Sequence, residues 1–273
     1  MPSDLGFMSA QKNPNQQTES SGIRFGSSRE GIRSEDAPLL TGQGHFTDDL
    51  NVKGQAYAAF VRASVGHAAI RKVGTDAAKN MPGVIAIITG RDLEADGIGQ
   101  IPPVASFNGR DGRPMIQAPM PVLAVGRVRY VGEAIAVVIA ETEALAQDAA
   151  ESVEIELDLL PAASNVERAL AKGAPAICDA APGNVVLDWE DGDSAAVDAA
   201  FSRAAHVERV RLADTRLAPS AMEPRAAIAS YDTASGRYTL VAPTQGVAVV
   251  RKVLAEGVFK VPANQIQIGR AHV

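Results

Sequence analysis

The stretch that most constrains the fold is a strand–turn–strand signal late in the chain. Two apolar runs, Ala226–Tyr231 and Tyr238–Val241, flank Asp232-Thr-Ala-Ser-Gly236, the composition of a turn between antiparallel strands. Before the hairpin, Met222-Glu223-Pro224-Arg225 sets opposite charges around a proline that cannot donate to a sheet. After it come Pro243-Thr244-Gln245-Gly246 and then a run to Phe259 with Val247, Val250, Leu254 and Val258 at helical spacing. A neutral amide, Gln245, therefore stands where a strand gives way to a helix, the place where open α/β structures present groups to a ligand. On residue chemistry alone the plain reading remains open. Glu223 and Arg225 suit a structural ion pair or loop clamp, and Gln245 suits a turn or cap.

Upstream, the chain alternates strands and helices. Ser34–Thr41 is loop-like and leads into Gly42–Leu50, where Asp48 and Asp49 are expected to hold backbone amides and face water. Gln55–Ala63 reads as a strand, Asp76–Asn80 as a short helix stopped by Pro82-Gly83, and the β-branched run Val84–Thr89 as a buried strand. Asp96–Met120, rich in Gly, Pro and Asn, is expected to be a long irregular loop serving function or an interface. Arg127–Ala140 reads as one strand, the strongest in the chain. Thr142–Ser152 follows as a helix, with Ala144, Leu145, Ala149 and Val153 at helical spacing, and Glu154–Leu157 as a half-buried strand, together a βαβ-like unit. Asn165–Ala171 is a short helix, and the Gly/Ala/Pro-rich Lys172–Gly183 is the expected domain boundary. Beyond it, Asp193 or Ser194 caps a helix with Val197, Ala200 and Phe201 on one face, and His206–Leu212 alternates like a strand. Gln265–Gln267 begins a further strand. Ile268-Gly-Arg-Ala-His-Val273 matches one reading frame of a common sequencing adapter (ATC GGA AGA GCA CAC GTC), so these six residues are expected to be adapter-derived and the native chain to continue past Gln267.

Composition excludes several function classes. With 46% apolar and 21% charged residues, 273 positions suffice for two globular cores. A net charge of −6 gives no basic footprint for nucleic acid, and 4% aromatics provide few surfaces for stacking bases. No run approaches the roughly eighteen apolar residues of a membrane helix. Met1–Ser21 is polar, without the apolar core of a signal peptide, so a cytoplasmic protein with a disordered leader (residues 1–32) is expected.

The residues that usually carry chemistry form no set. Cys178 is the single cysteine, so it can neither close an internal disulfide nor hold an iron–sulfur cluster, and it is expected to pack as a small buried hydrophobe. None of His45, His67, His206 and His272 has a partner three to five residues on that would complete a metal site, and no metal ligands are assigned. His45 and His67 are expected to be loop or packing residues. Gly97-Ile-Gly99 resembles a dinucleotide-binding start, but Pro102 stands in place of the third glycine and no strand–helix context surrounds it.

An ordered set of segments identifies a resemblance. Gly42-Gln-Gly-His-Phe-Thr-Asp-Asp49, Ala58-Ala-Phe-Val-Arg-Ala63, Pro82-Gly-Val-Ile-Ala-Ile-Ile-Thr-Gly90 and Val128-Arg-Tyr-Val-Gly-Glu-Ala-Ile-Ala-Val-Val138 come first. Pro182-Gly-Asn184, Met222-Glu-Pro-Arg225 and Thr244-Gln245-Gly246 follow. In order and spacing, from about Arg33 to about Gln267, they resemble the molybdenum-binding large subunit of the xanthine dehydrogenase / aldehyde oxidase / aerobic carbon monoxide dehydrogenase family. The Met222–Arg225 and Pro182–Asn184 forms look closer to the carbon monoxide dehydrogenase-like branch.

The resemblance implies an α+β fold: an α/β hammerhead domain over 33–160, a linker over 161–183, and the truncated start of a molybdenum-cofactor-binding α+β domain over 184–267. It implies a molybdenum–molybdopterin cofactor whose metal activates a water-derived oxygen for attack on an electron-poor carbon of an aldehyde, an N-heterocycle or carbon monoxide. Electrons then pass to iron–sulfur and FAD centres on partner subunits, in a dimer of heterotrimers. Gln245 matches the glutamine that reaches an apical oxygen ligand of molybdenum, and Gly246 lets the backbone approach, so these two are the expected cofactor-binding residues. No catalytic residue is assigned, because the family's general base and glycine-rich cofactor loop correspond to positions beyond Gln267. Glu133 and Glu223 are not put in that role. This polypeptide alone is therefore expected to be inactive. The alternative is a non-catalytic scaffold or interaction protein built on the hammerhead fold.

Overall fold

A computed structural model describes residues 36–269 apart from Thr215, Arg216, Ala218 and Met222. The expected leader and His272 lie outside the described residues. Two compact units divide at Gly44. Up to that point the described chain holds one short helix, α1 (Asp36–Leu40), closed by the Thr41 hydroxyl donating to Ala37 O at 2.8 Å. This replaces the loop expected over Ser34–Thr41.

The second unit, from His45, opens with a 3₁₀ turn at Thr47–Asp49, in which the Asp49 carboxylate accepts the Phe46 amide at 2.8 Å. Asp48 and Asp49 are exposed, as expected. Two three-stranded antiparallel sheets follow. The first has the order β1 (Tyr57–Arg62), β5 (Ala134–Ala140), β3 (Val84–Thr89). The second has the order β4 (Arg127–Val128), β2 (Ala68–Gly74), β6 (Glu154–Leu159). Short helices α2 (Asp76–Lys79) and α3 (Gly90–Ala95) flank β3, and α4 (Glu143–Glu151) joins β5 to β6. The Thr142 hydroxyl caps α4 by accepting from the Leu145 amide.

Two apolar clusters hold these elements together. Ala63, Ala68, Ala124, Val128 and Ile135 form one, while Ala78, Ile87, Val138, Ala149 and Val153 form the other under α2 and α4. The small alanines let strands and helix approach closely, and Ile135, Val128 and Val138 fill the space between them with no exposed surface.

Several expectations need correction. Arg127–Ala140 is not one strand. The chain turns at Tyr130–Glu133, where Gly132 takes φ +87°, and β4 and β5 enter different sheets. For the same reason β5–α4–β6 is not a parallel βαβ unit, since β6 pairs antiparallel with β2. β3 is only partly buried, with Ile87 buried and Ile85 59% exposed. On α4 the buried positions are Ala146 and Ala149, and Ala144 faces solvent. His206–Leu212 forms no strand among the described residues, and alternation alone cannot hold a strand without a neighbour.

The rest of the chain carries α5 (Val166–Leu170), α6 (Ser194–Arg203), β7 (Ile228–Asp232), β8 (Arg237–Val241), α7 (Val247–Lys252) and β9 (Ile266–Gly269). α5 and α6 are capped by Asn165 and Asp193, whose side chains accept from the Arg168 and Ala196 amides. Between α5 and α6, Asn184 adopts a left-handed φ of +57°. Its side chain accepts from Ile177 N at 3.0 Å and donates to Ala169 O and Pro175 O, which ties the linker into a closed loop. No helix of the described chain is long and apolar enough to cross a membrane.

Candidate functional site

The third sheet is built from the hairpin and one added strand. β7 and β8 pair antiparallel, with Tyr231 opposite Tyr238 and Ile228 opposite Val241. In their turn the Asp232 carboxylate accepts from the Ala234 amide and the Ser235 hydroxyl, and Gly236 closes it at φ +68°. These bonds to its ionised form hold the Asp232 carboxyl below the usual range, the Ser235 hydroxyl contributing most. β9 then pairs with β8 in parallel, Leu240 opposite Ile268. A strand–helix–strand connection thus joins β8 to β9 through α7.

That topology brings the late motifs to one sheet edge. β8 and β9 both end there, α7 begins there, and β7 starts there because it runs antiparallel. Glu223–Arg225, just before β7, and Thr244–Gly246, just after β8, therefore share the carboxyl edge of the parallel pair, the side on which such sheets bind ligands. Gln245 is exposed at this edge, and Thr244 and Gly246 are half-buried. The Thr244 hydroxyl accepts from the Gly246 amide at 3.4 Å, and the Gly246 carbonyl accepts from Val250 to start α7. A Cβ on Gly246 would meet only Val249, at ordinary contact distance. Nothing within the described chain therefore demands glycine there. Glu223 is half-buried and Arg225 exposed, and they form no ion pair with each other among the described residues. Met222 lies outside the described residues.

α7 runs straight into a π-helix, Val253–Phe259, a rare register that recurs near functional sites. Its end packs on the hairpin, with Phe259 stacked on Tyr238 at 4.8 Å and Tyr238 against Tyr231 at 4.5 Å. The long loop over 96–120 is irregular, as expected, and its start docks on this π-helix. Gly99 N donates to Val258 O at 2.7 Å, and Lys260 Nζ donates to Gly97 O at 2.9 Å. The two glycines that mimic a dinucleotide motif thus serve this contact. Nothing local in the sequence marked it.

The remaining candidates are structural. Glu133 is buried, and its carboxylate accepts the Arg129 amide at 2.5 Å across the β4–β5 turn. His67 is 5% exposed, with Nδ1 2.7 Å from Pro161 O, a packing residue as expected. His206 pairs on the surface with Glu208, and His45 is exposed. Cys178 is half-buried, so the expectation of a fully buried residue is corrected: it lies in the linker loop, outside both apolar clusters. No group of three or more metal-ligating side chains occurs among the described residues.

Residues 41–161 match the family described as aldehyde oxidase and xanthine dehydrogenase, a/b hammerhead domain, and residues 177–273 match the molybdopterin cofactor-binding domain. The chain belongs to the aldehyde oxidase and xanthine dehydrogenase family. Its fold is accordingly a hammerhead domain followed by the start of a molybdopterin-binding domain, and the site edge falls in the latter. Among family relatives, the nicotine 6-hydroxylase large subunit of Paenarthrobacter nicotinovorans is 37% identical over 82% of this chain and 26% of its own length. The carbon monoxide dehydrogenase large chain of Hydrogenophaga pseudoflava is 30% identical over 86% of this chain and 29% of its own. The crystal structure of quinoline 2-oxidoreductase from Pseudomonas putida 86 superposes with a TM-score of 0.75, at 30% identity, over 89% of this chain and 30% of that one. The chain thus spans less than a third of these relatives.

Proposed function

We propose that this chain is part of the large subunit of a molybdenum hydroxylase, with Gln245 and Gly246 contributing to the cofactor site. The observation that carries this reading is the exposed Gln245 amide at the carboxyl edge of β8 and β9, within the segment matched to a molybdopterin-binding domain. When bound, molybdopterin supplies a molybdenum centre for two-electron oxidation of a substrate with oxygen drawn from water. The residues present fit such a group. Gln245 donates from a neutral amide without adding charge beside a redox centre. Gly246 adds no side chain beside it, and a Cβ there would meet only Val249. Glu223–Arg225 lines the same edge.

The hammerhead domain over 33–160, the linker over 161–183 and the cofactor region from 184 are the proposed divisions. Exposed apolar side chains support membership of a larger subunit. α6 buries none of its residues, with Val197 53% and Phe201 60% exposed, more apolar surface than a free helix usually presents. The resemblance is the support for placing the iron–sulfur and FAD centres on partner chains. The substrate class is a small aldehyde, N-heterocycle or carbon monoxide, and the protein works in the cytoplasm.

The test is turnover by the complete large subunit, purified with its partners, using an aldehyde, an N-heterocycle and carbon monoxide with an artificial electron acceptor. Gln245→Ala is expected to lower turnover of the accepted substrate by about 10–100-fold, the usual effect of losing a group that orients a metal site. Wild-type turnover in Gln245→Ala, or no substrate accepted by a molybdenum-loaded complex, would contradict the reading.

A further inference from the structure

We propose that the start of the long loop, 97–102, is a latch that sets the position of the α7–π helix and, through it, of Gln245 and Gly246; the second clause rests on the function proposed above. The contact is built from two bare glycines, Gly99 against the Gly257 backbone and Gly257 against Pro102. A Cβ on Gly99 would sit inside the van der Waals envelope of the Gly257 carbonyl oxygen, and a Cβ on Gly257 would lie 2.5 Å from Pro102 Cδ. Neither glycine has a left-handed φ, so close approach is what requires them there. Backbone polar groups complete the contact, since Gly99 N donates to Val258 O at 2.7 Å.

Lys260 closes the latch from the other side. It ends the π-helix at a left-handed φ of +55°, a conformation side-chain-bearing residues rarely take. Its ammonium donates to Gly97 O at 2.9 Å. Ala255 and Val258 are buried beside this junction, and Phe259 on Tyr238 fixes the opposite side of the helix to β8. The helix is therefore gripped at its far end by a loop and a sheet together, while its near end starts at Gly246. The α7 and π segments form one continuous helical run, so a shift at Gly257 is carried along it to Val247. Gly99, Gly257 and Lys260 are positioning residues in this scheme, and none touches the reacting groups.

The experiment uses the complete large subunit in its assembled, molybdenum-loaded complex. Gly99→Ala, Gly257→Ala and Lys260→Met are compared with Lys260→Arg and with Gln245→Ala as the reference. The readouts are amide hydrogen exchange of 247–259 and the molybdenum(V) electron paramagnetic resonance signal. Gly99→Ala and Gly257→Ala are expected to speed exchange in 247–259 by about tenfold or more, leaving α4 and β5 unchanged. They are also expected to move the molybdenum(V) signal in the same sense as Gln245→Ala. Lys260→Met, which adds no steric clash, shows both effects at smaller size, and Lys260→Arg restores them because a guanidinium can still donate to Gly97 O. Unchanged exchange in 247–259 overturns the latch. So does faster exchange with a wild-type molybdenum(V) signal, when Gln245→Ala alters that signal. If Gln245→Ala itself leaves the signal at wild type, the reading of Gln245 falls instead, and exchange in 247–259 alone decides the latch.

Discussion

Glu133 lies in the Val128–Val138 segment that carries much of the family resemblance, and its role is architectural. At 6% exposure its carboxylate accepts the Arg129 amide, while the backbone of Gly132 and Glu133 is bonded to Ala63. Removing the acceptor strands a partly buried amide; a fully buried one typically costs about 1–3 kcal/mol, which sets the upper range. Glu133→Ala is accordingly expected to destabilise the chain by up to that amount in chemical denaturation, and Glu133→Gln, which keeps an acceptor, by clearly less. Equal losses in the two variants would mean that the Arg129 bond does not matter. Asn184 behaves alike: a second motif residue whose three side-chain bonds hold a loop. Motif residues far from the carboxyl edge of β8 thus explain themselves by turn chemistry, whereas Gln245, exposed and without a structural task, does not.

At the scale of elements, the hairpin offers a pH test. Asp232 has a folded-state pKa lowered by the Ser235 hydroxyl and then the Ala234 amide. Its contribution to the turn is fully present above the unfolded carboxylate pKa of about 3.9 and is lost as pH falls through the lowered folded value. Protection of the Gly236 amide, corrected for intrinsic exchange, is expected to drop below about pH 4 in the wild type, the window set by that ordinary carboxylate value. It is expected to stay flat there in Asp232→Asn, and a parallel drop in both would contradict the assignment. The hairpin, β3, α4 and α6 were legible because turn residues, β-branched runs and caps are local signals. Two elements were not. β2 carries a register shift between Ile70 and Lys72 that breaks its alternation, with Arg71 and Lys72 both exposed. α3 begins at Gly90, a weak helix former, and depends on the reciprocal Thr89–Asp92 bonds for its start. The docking of Gly99 on Gly257 was invisible for a different reason. Close approach between residues far apart in sequence leaves no periodic trace.

For the whole molecule, the decisive relation is between the sheet edge and the cofactor. The strand end bearing Gln245 could be found from the sequence, but the convergence of Glu223–Arg225 on the same edge needed the pairing of β7, β8 and β9. The most direct measurement is the molybdenum content per large subunit, by elemental mass spectrometry, of the complete protein purified with its partners, for wild type and for Gln245→Ala with Gly246→Val. The expected result is close to one molybdenum per wild-type subunit and a loss of about tenfold or more in the double variant, within the usual range for disturbing a metal's supporting shell. A wild-type complex without molybdenum, or a double variant that retains it fully, would contradict the assignment of this edge to the cofactor.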